Sequence, residues 1–312
     1  MKDKNGMGHI AALFTIVVWG TTFISTKVLL RDFQPVEILI IRFVIGYILL
    51  FLAKPGLMRL KDKKQEFIFA AAGLCGICLY YLLENIALTY TLASNVGVII
   101  SAAPFFTAIL SKVFLKEEGH LRVSFFLGFA AAIAGICMMS FSGSESLKLN
   151  PKGDILALAA AFVWACYSVL TKKISGYGYS VVQTTRHMFG YGILFMIPAA
   201  LVFDFRPGLS RLADPLNLMN ILFLGAGASA LCFVTWNSAV RILGAVRTSV
   251  YIYIVPVVTI VTSVLILHEK ITGMAALGAA LTLAGLILSE GKIELKKNRK
   301  KSPGQIADNC EG

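Results

Sequence analysis

Charge is scarce in this chain. Asp, Glu, Lys and Arg together make up 15% of its 312 residues, where a soluble domain carries roughly a quarter. That is too little to clothe a soluble surface, and 57% of the residues are hydrophobic. Histidine is scarcer still, at four, and no cluster of Asp and His falls within an apolar run. H-E-x-x-H and G-x-S-x-G are both missing, which argues against an enzyme embedded in the membrane. There is no G-x-x-x-x-G-K-[ST] loop either, so this chain does not itself bind ATP through that motif. GAGASA at 225–230 has the small-residue spacing of a dinucleotide loop, but it lies inside an apolar run with no strand before it. Cysteine numbers six, and five lie in apolar runs. Cys75-x-x-Cys78 has no second pair and no histidine beside it, so small packing residues are the better reading and no metal or cofactor is expected.

What the chain has in abundance is length without charge. Runs such as Ile10–Trp19, Phe67–Leu83 and Val250–Leu267 are apolar, and the mean hydropathy is +0.77. A helix crossing a bilayer needs about 20 such residues. Ten candidate spans follow, at 8–28, 35–53, 67–89, 94–114, 121–141, 153–173, 180–203, 217–240, 245–267 and 271–289. Alternation with period two is absent and the spans are twice a barrel strand's length, so the expected class is an all-α integral membrane protein. The first span reads as a true span, not a cleaved leader, because it has full length and no small-residue cleavage site follows it.

The net charge of +12 raises the question of nucleic acid, and its distribution answers it. With the N-terminus inside, Lys2, Lys4, Lys54, Arg59, Lys61, Lys63, Lys64, Lys116, Arg122, Lys172, Lys173, Arg241, Arg247 and the Lys-rich tail fall on the cytoplasmic side. Arg31, Lys148, Lys152, Arg206, Arg211 and Lys270 fall outside. The excess is about three to one, as the positive-inside rule requires, so both termini are expected in the cytoplasm and no nucleic-acid partner is. The tail, 291–312, reads as a basic segment lying near anionic headgroups.

RFVIGYILLF at 42–51 and RHMFGYGILF at 186–195 share Arg, Gly, Tyr, Leu and Phe at identical offsets. The correspondence extends along the chain. Trp19 and Lys27 match Trp164 and Lys172, Asn85 matches Asn237, Pro104 matches Pro256, Glu117 matches Glu269, and Ala134-Gly135 matches Ala284-Gly285. The chain therefore reads as two five-helix units, 1–145 and 146–290. Five is odd, so the second unit enters the membrane from the opposite side. Such inverted-topology repeats hold a substrate site near the midplane and work by alternating access.

WGTTFISTK in the first span, the R-F-x-x-G start of the second, and a Glu followed by small residues across spans 4–5 and 9–10 carry a resemblance. They resemble the drug/metabolite transporter superfamily, and within it the EamA branch of ten-helix permeases. The resemblance covers residues of about 8–290. It implies a secondary transporter, most often an exporter of amino acids or related compounds across the cytoplasmic membrane. The alternative is an exchanger of phosphorylated or nucleotide-linked metabolites, which would want more basic residues than Arg42 and Arg186.

Individual residues leave alternatives open. Arg42 lies about 10 Å into its helix. It and Arg186 either fix the bundle, which duplication favours, or face a cavity and bind a substrate carboxylate or phosphate. Glu84 is the one acidic residue well inside a span, and its counterpart is Trp236. It is a candidate for a coupling proton or a substrate amine, or else an ion-pair partner of Arg42. Trp19, Thr22, Tyr80, Trp164, Tyr167 and Trp236 are candidates to line a cavity, since aromatic faces accept cations. Tyr81, Tyr251 and Tyr253 belong to the same aromatic set, although aromatics also populate membrane interfaces. Asn85 and Asn237 either cap helix ends, hydrogen-bond across the repeat interface or touch substrate. Pro104 and Pro256 remove a backbone hydrogen bond and offer hinges. Glu117 and Glu269 are expected to satisfy N–H groups at the turns into spans 5 and 10. Ala72-x-x-x-Gly76, Ala131-x-x-x-Gly135 and Ala280-x-x-x-Ala284 let helices pack closely, within the chain or between copies. Ten helices can enclose a site alone, so a monomer is expected, with a dimer as the alternative.

Overall fold

The computed structural model describes residues 2–115, 123–140, 151–203, 205 and 209–289. Glu117, the boundary between the two expected units and the basic tail lie outside the described residues. Ten helices account for nearly everything described. They are α1 (Lys2–Leu29), α2 (Pro35–Ala53), α3 (Lys64–Tyr90), α4 (Ala93–Phe114), α5 (Val123–Ser140), α6 (Pro151–Ser175), α7 (Val181–Val202), α8 (Pro215–Leu243), α9 (Ala245–Leu267) and α10 (Gly273–Ser289). Eight are long and apolar enough to cross a membrane, and α5 and α10 supply two shorter apolar stretches. No strand occurs among the described residues.

Local chemistry marks the helix starts. Pro35, Pro151 and Pro215 each begin a helix, where the missing N–H costs nothing and the fixed φ is already helical. Glu37 closes a capping box on the Gln34 N–H at 2.7 Å, and Asp214 accepts from the Leu216 N–H at 2.7 Å. With water excluded from the span interiors, every remaining backbone group has to find its partner inside the helix.

The two halves interlock reciprocally. Helix α1 packs on α8 and α9 of the second half, and α6 packs on α3 and α4 of the first. Helix α2 packs on the middle of α8, and α7 on the middle of α3. Adding five to each helix number turns one set of contacts into the other, which is the signature of the inverted repeat. Helices α5 and α10 pair with each other. A Cβ on Gly135 would stand 2.4 Å from the Gly278 carbonyl oxygen, and one on Gly285 would stand 2.5 Å from the Gly128 carbonyl oxygen. The repeated Ala-Gly pair is thus spent on an intramolecular contact.

Two departures from regular helix are themselves duplicated. Helix α3 contains a π-turn over Leu74–Leu79, and α8 one over Phe223–Leu231. Helix α4 breaks at Ser101–Ala102 just before Pro104, and α9 narrows to a 3₁₀ turn over Val250–Ile254 just before Pro256. The prolines expected as hinges therefore stand directly after real interruptions of the ladder.

The ends of the bundle are clamped both within and across the halves. The Lys27 ammonium donates to the carbonyls of Leu88 and Thr91 (2.8 Å to the latter), where α3 stops. The Glu269 carboxylate accepts from Ala93 N–H (3.0 Å) and Ser94 N–H (3.3 Å) and from the Ser94 hydroxyl (2.8 Å), where α4 starts. Glu269 does satisfy backbone N–H groups, but those of α4 and not of the turn into α10, because the α9–α10 connection folds over the neighbouring half. A cation on a helix C-terminus and an anion on the next N-terminus both complement the helix dipoles. Nearby, Arg211 forks onto Glu37 at 2.7 and 3.0 Å, and that carboxylate holds the exposed guanidinium above its ordinary pKa.

Candidate functional site

The three tryptophans of the chain come from α1, α6 and α8 and meet in one cluster. Trp19 and Trp164 are edge to face with centroids 5.1 Å apart, and Trp236 lies 5.2 Å from Trp19 and 6.1 Å from Trp164. Tyr80 packs 4.7 Å from both Trp164 and Tyr81, and Tyr167 lies 5.0 Å from Trp164. Phe233, which nothing in the sequence singled out, sits among them at 5.5 Å from Trp19. Such tilted and edge-to-face pairs are the arrangement ring quadrupoles favour.

The π-turn of α8 helps to aim this cluster. A π-turn releases a carbonyl from the regular ladder, and the Trp19 indole N–H donates to the Ala228 carbonyl at 2.9 Å. Ser229, one residue on, accepts from Arg42 Nε at 3.0 Å. On the other side, Tyr167 presses on the π-turn of α3, so closely that a Cβ on Gly76 would overlap its ring. The Tyr167 hydroxyl donates to Asn237 Oδ1 at 2.9 Å.

A narrow cavity, part of it open to the exterior, runs along one side of the cluster. Its walls are Ile16, Trp19, Thr22 and Phe23 of α1; Tyr80, Tyr81 and Glu84 of α3; Ile100 of α4; Trp164 of α6; and Ile252 and Val255 of α9. Both halves contribute. Glu84 is 1% exposed, and its Oε1 has no hydrogen-bond partner. Its carboxylate interacts with the Tyr80 hydroxyl and with the charge of Arg42.

The candidates from the sequence divide into three groups. Trp19, Thr22, Tyr80, Glu84 and Trp164 line the cavity, and Tyr167 and Trp236 back it. Arg42 is fully buried behind Tyr81, with its guanidinium carbon 4.4 Å from that ring's centroid and both terminal nitrogens unpartnered. Arg186, Asn85 and Asn237 are not brought to the cavity. Arg186 donates to the carbonyls of Lys54 (2.6 Å) and Gly56 (2.7 Å), where α2 has ended. Asn85 donates to the Pro35 carbonyl at 3.1 Å, and Asn237 to Thr185 at 3.0 Å, so both act within their own half and not across the repeat interface. Tyr251 stands apart, its hydroxyl 2.6 Å from His9 Nδ1. Ile16, Phe23, Ile100, Ile252 and Val255 were not foreseen. The spacing of Ile16, Trp19 and Phe23 does mark one helical face, the only trace of them in the sequence. No group of His, Cys, Asp and Glu able to hold a metal occurs among the described residues.

Known proteins agree with this architecture. The family described as "EamA-like transporter family" matches residues 6–141 and 151–290, one match per half. An "Uncharacterized transporter" of Archaeoglobus fulgidus is 28% identical over 294 residues, covering 92% of this chain and 99% of its own. A "Probable terminal-alkyne amino-acid exporter" of Streptantibioticus cattleyicolor is 25% identical, covering 95% and 97%. A "Probable amino-acid metabolite efflux pump" of Escherichia coli is 26% identical, covering 93% and 95%. One solved crystal structure superimposes with a TM-score of 0.63 at 18% identity, over 91% of this chain and 96% of that one, and shares the fold. Two family matches, one on each of two reciprocally packed halves, leave a single conclusion: the chain belongs to the EamA-like transporter family.

Proposed function

We propose that this transporter exports a small metabolite, an amino acid or a related compound, across the cytoplasmic membrane by alternating access. The observation that carries the reading is the buried aromatic cavity at the contact between the halves, bordered by the interrupted helices α4 and α9. A substrate seated there touches α1 and α3 of one unit and α6 and α9 of the other, so rocking of the halves exposes it to either side in turn. The asymmetry of Lys and Arg supports both termini in the cytoplasm. The amino-acid efflux named for two relatives supports the substrate class. Glu84 is our candidate for the coupling proton, being the ionisable carboxyl of the wall.

An exchanger of phosphorylated metabolites would want paired guanidinium groups in the cavity. Arg42 stands behind Tyr81 and Arg186 is tied to the end of α2, so no observation favours that reading.

Counterflow in proteoliposomes tests the proposal, screening labelled amino acids, nucleosides and sugar phosphates. We expect saturable counterflow of an amino acid, lost in Glu84→Gln. Counterflow confined to phosphorylated compounds would sink the amino-acid reading, and a Glu84→Gln protein with full pH-driven uptake would remove the proton role.

A further inference from the structure

The transport reading leaves open which part of a substrate the cavity recognises. Resting on that reading, we propose that the anchor is a protonated amine on an apolar body, and that a carboxylate is not required. Accounting for donors and acceptors along the wall leads there. Thr22 donates its hydroxyl proton to the Trp19 carbonyl at 2.7 Å, and Trp19 has given its N–H to Ala228. Of the residues lining the cavity, Glu84 alone carries a buried side-chain atom without a hydrogen-bond partner, and that atom is an acceptor. A buried acceptor left bare is costly, and an ammonium, with three donors and no acceptor, is its complement.

The walls point the same way. Trp19, Trp164 and Tyr80 line the same cavity as the carboxyl, and aromatic rings attract cations. No lysine or arginine lines the cavity. Arg42 is fully buried, its guanidinium carbon 4.4 Å from the centroid of the Tyr81 ring, and is not part of the lining. A substrate carboxylate would therefore meet Glu84, a like charge, before any guanidinium.

Two of the three tryptophans line the site and the third packs on Trp19 behind it, so intrinsic fluorescence reports occupancy without transport. The test titrates the full chain in lipid nanodiscs with three ligands sharing a phenyl body: phenethylamine, phenylalanine, and 3-phenylpropionate, which lacks the amine. We expect saturable changes with the first two, none with the third, and a Kd for phenethylamine raised at least about tenfold in Glu84→Gln. The ligand series is read in the unsubstituted protein, so it stands even if the variant is unstable. Equal binding of 3-phenylpropionate, or binding of phenylalanine without phenethylamine, would overturn the proposal and move the anchor to Arg42. So would unchanged amine binding in Glu84→Gln, or no saturable response to either amine. Counterflow separates the two readings. Saturable counterflow of a compound without an amine rejects the amine anchor and keeps the transporter, whereas no counterflow of any compound removes both.

Discussion

Arg42 and Arg186 occupy the same point of the repeat and do different things. In the first half the guanidinium lies in the core, stacked on Tyr81 and held by Ser229 through one nitrogen. In the second it is carried to an end of the bundle and donates to two carbonyls that α2 leaves free. Glu84 and Trp236 diverge further, one a buried carboxyl and the other a ring of the aromatic cluster. Duplication has preserved where helices bend and touch, while the chemistry sits where the copies stopped agreeing. A binding site built on a two-fold scaffold is made specific by breaking the symmetry, and here all of the cavity's fixed charge comes from the first half.

The sharpest way to break the comparison is through the glycines that seat each π-turned helix on the other half. A Cβ on Gly73 would stand 2.5 Å from the Met188 carbonyl oxygen, an atom of rigid backbone. Its counterpart Gly225 would meet Ile45 Cγ2 at 2.7 Å and Cβ at 2.8 Å, the root of a β-branched side chain, with the nearest backbone atom at 3.3 Å. Overpacking costs about 1–3 kcal/mol, so both substitutions are expected in that range, with Gly73→Ala, which meets two backbone atoms within 3 Å, the costlier. Thermal melting of both in one detergent decides it, and an equal loss would show the two seats to be mechanically equivalent.

Next comes the arginine pair. Arg186→Ala is expected to cost about 2 kcal/mol of stability, from two charge-assisted bonds, with ligand affinity unchanged. Arg42→Ala is expected to lower ligand affinity as well, since it removes the counter-charge of Glu84. Melting curves and fluorescence titrations on the same samples separate the two, and affinity loss in both would restore the symmetric reading. The smallest effect is assigned to Trp236→Phe. The Trp236 indole nitrogen has no hydrogen-bond partner, so only ring area is lost. A shift under about 1 kcal/mol is expected, and a larger one would assign that N–H a role.

Much of this architecture was legible from composition. Apolar length marks the spans because the bilayer imposes it, and the decapeptide repeat shows the duplication because helix packing preserved its small and charged residues. Trp19 and Trp164 are candidates for a cavity wall from the sequence because aromatic faces accept cations. What was not legible depends on where chain ends go. The carbonyls that hold Arg186 are free only because α2 stops at Ala53, and the amides that hold Glu269 belong to a helix of the other half. The five apolar wall residues are chemically indistinguishable from those that face lipid. The π-turns leave no trace in composition, since they change the path of the chain and not its polarity.

Those turns have a consequence of their own. Each residue advances an α-helix by roughly 100°, and a π-turn is where one surplus residue is absorbed. Loss of a single codon within Leu74–Leu79 would remove that surplus and restore a smooth helix with both flanks in phase. Loss of one from the regular turn that follows would instead swing Glu84 through that angle, off its place on the cavity wall, while Phe69 and the residues before it kept theirs. The π-turn is thus a buffer for one residue of length, and the same buffer recurs in α8 upstream of Trp236.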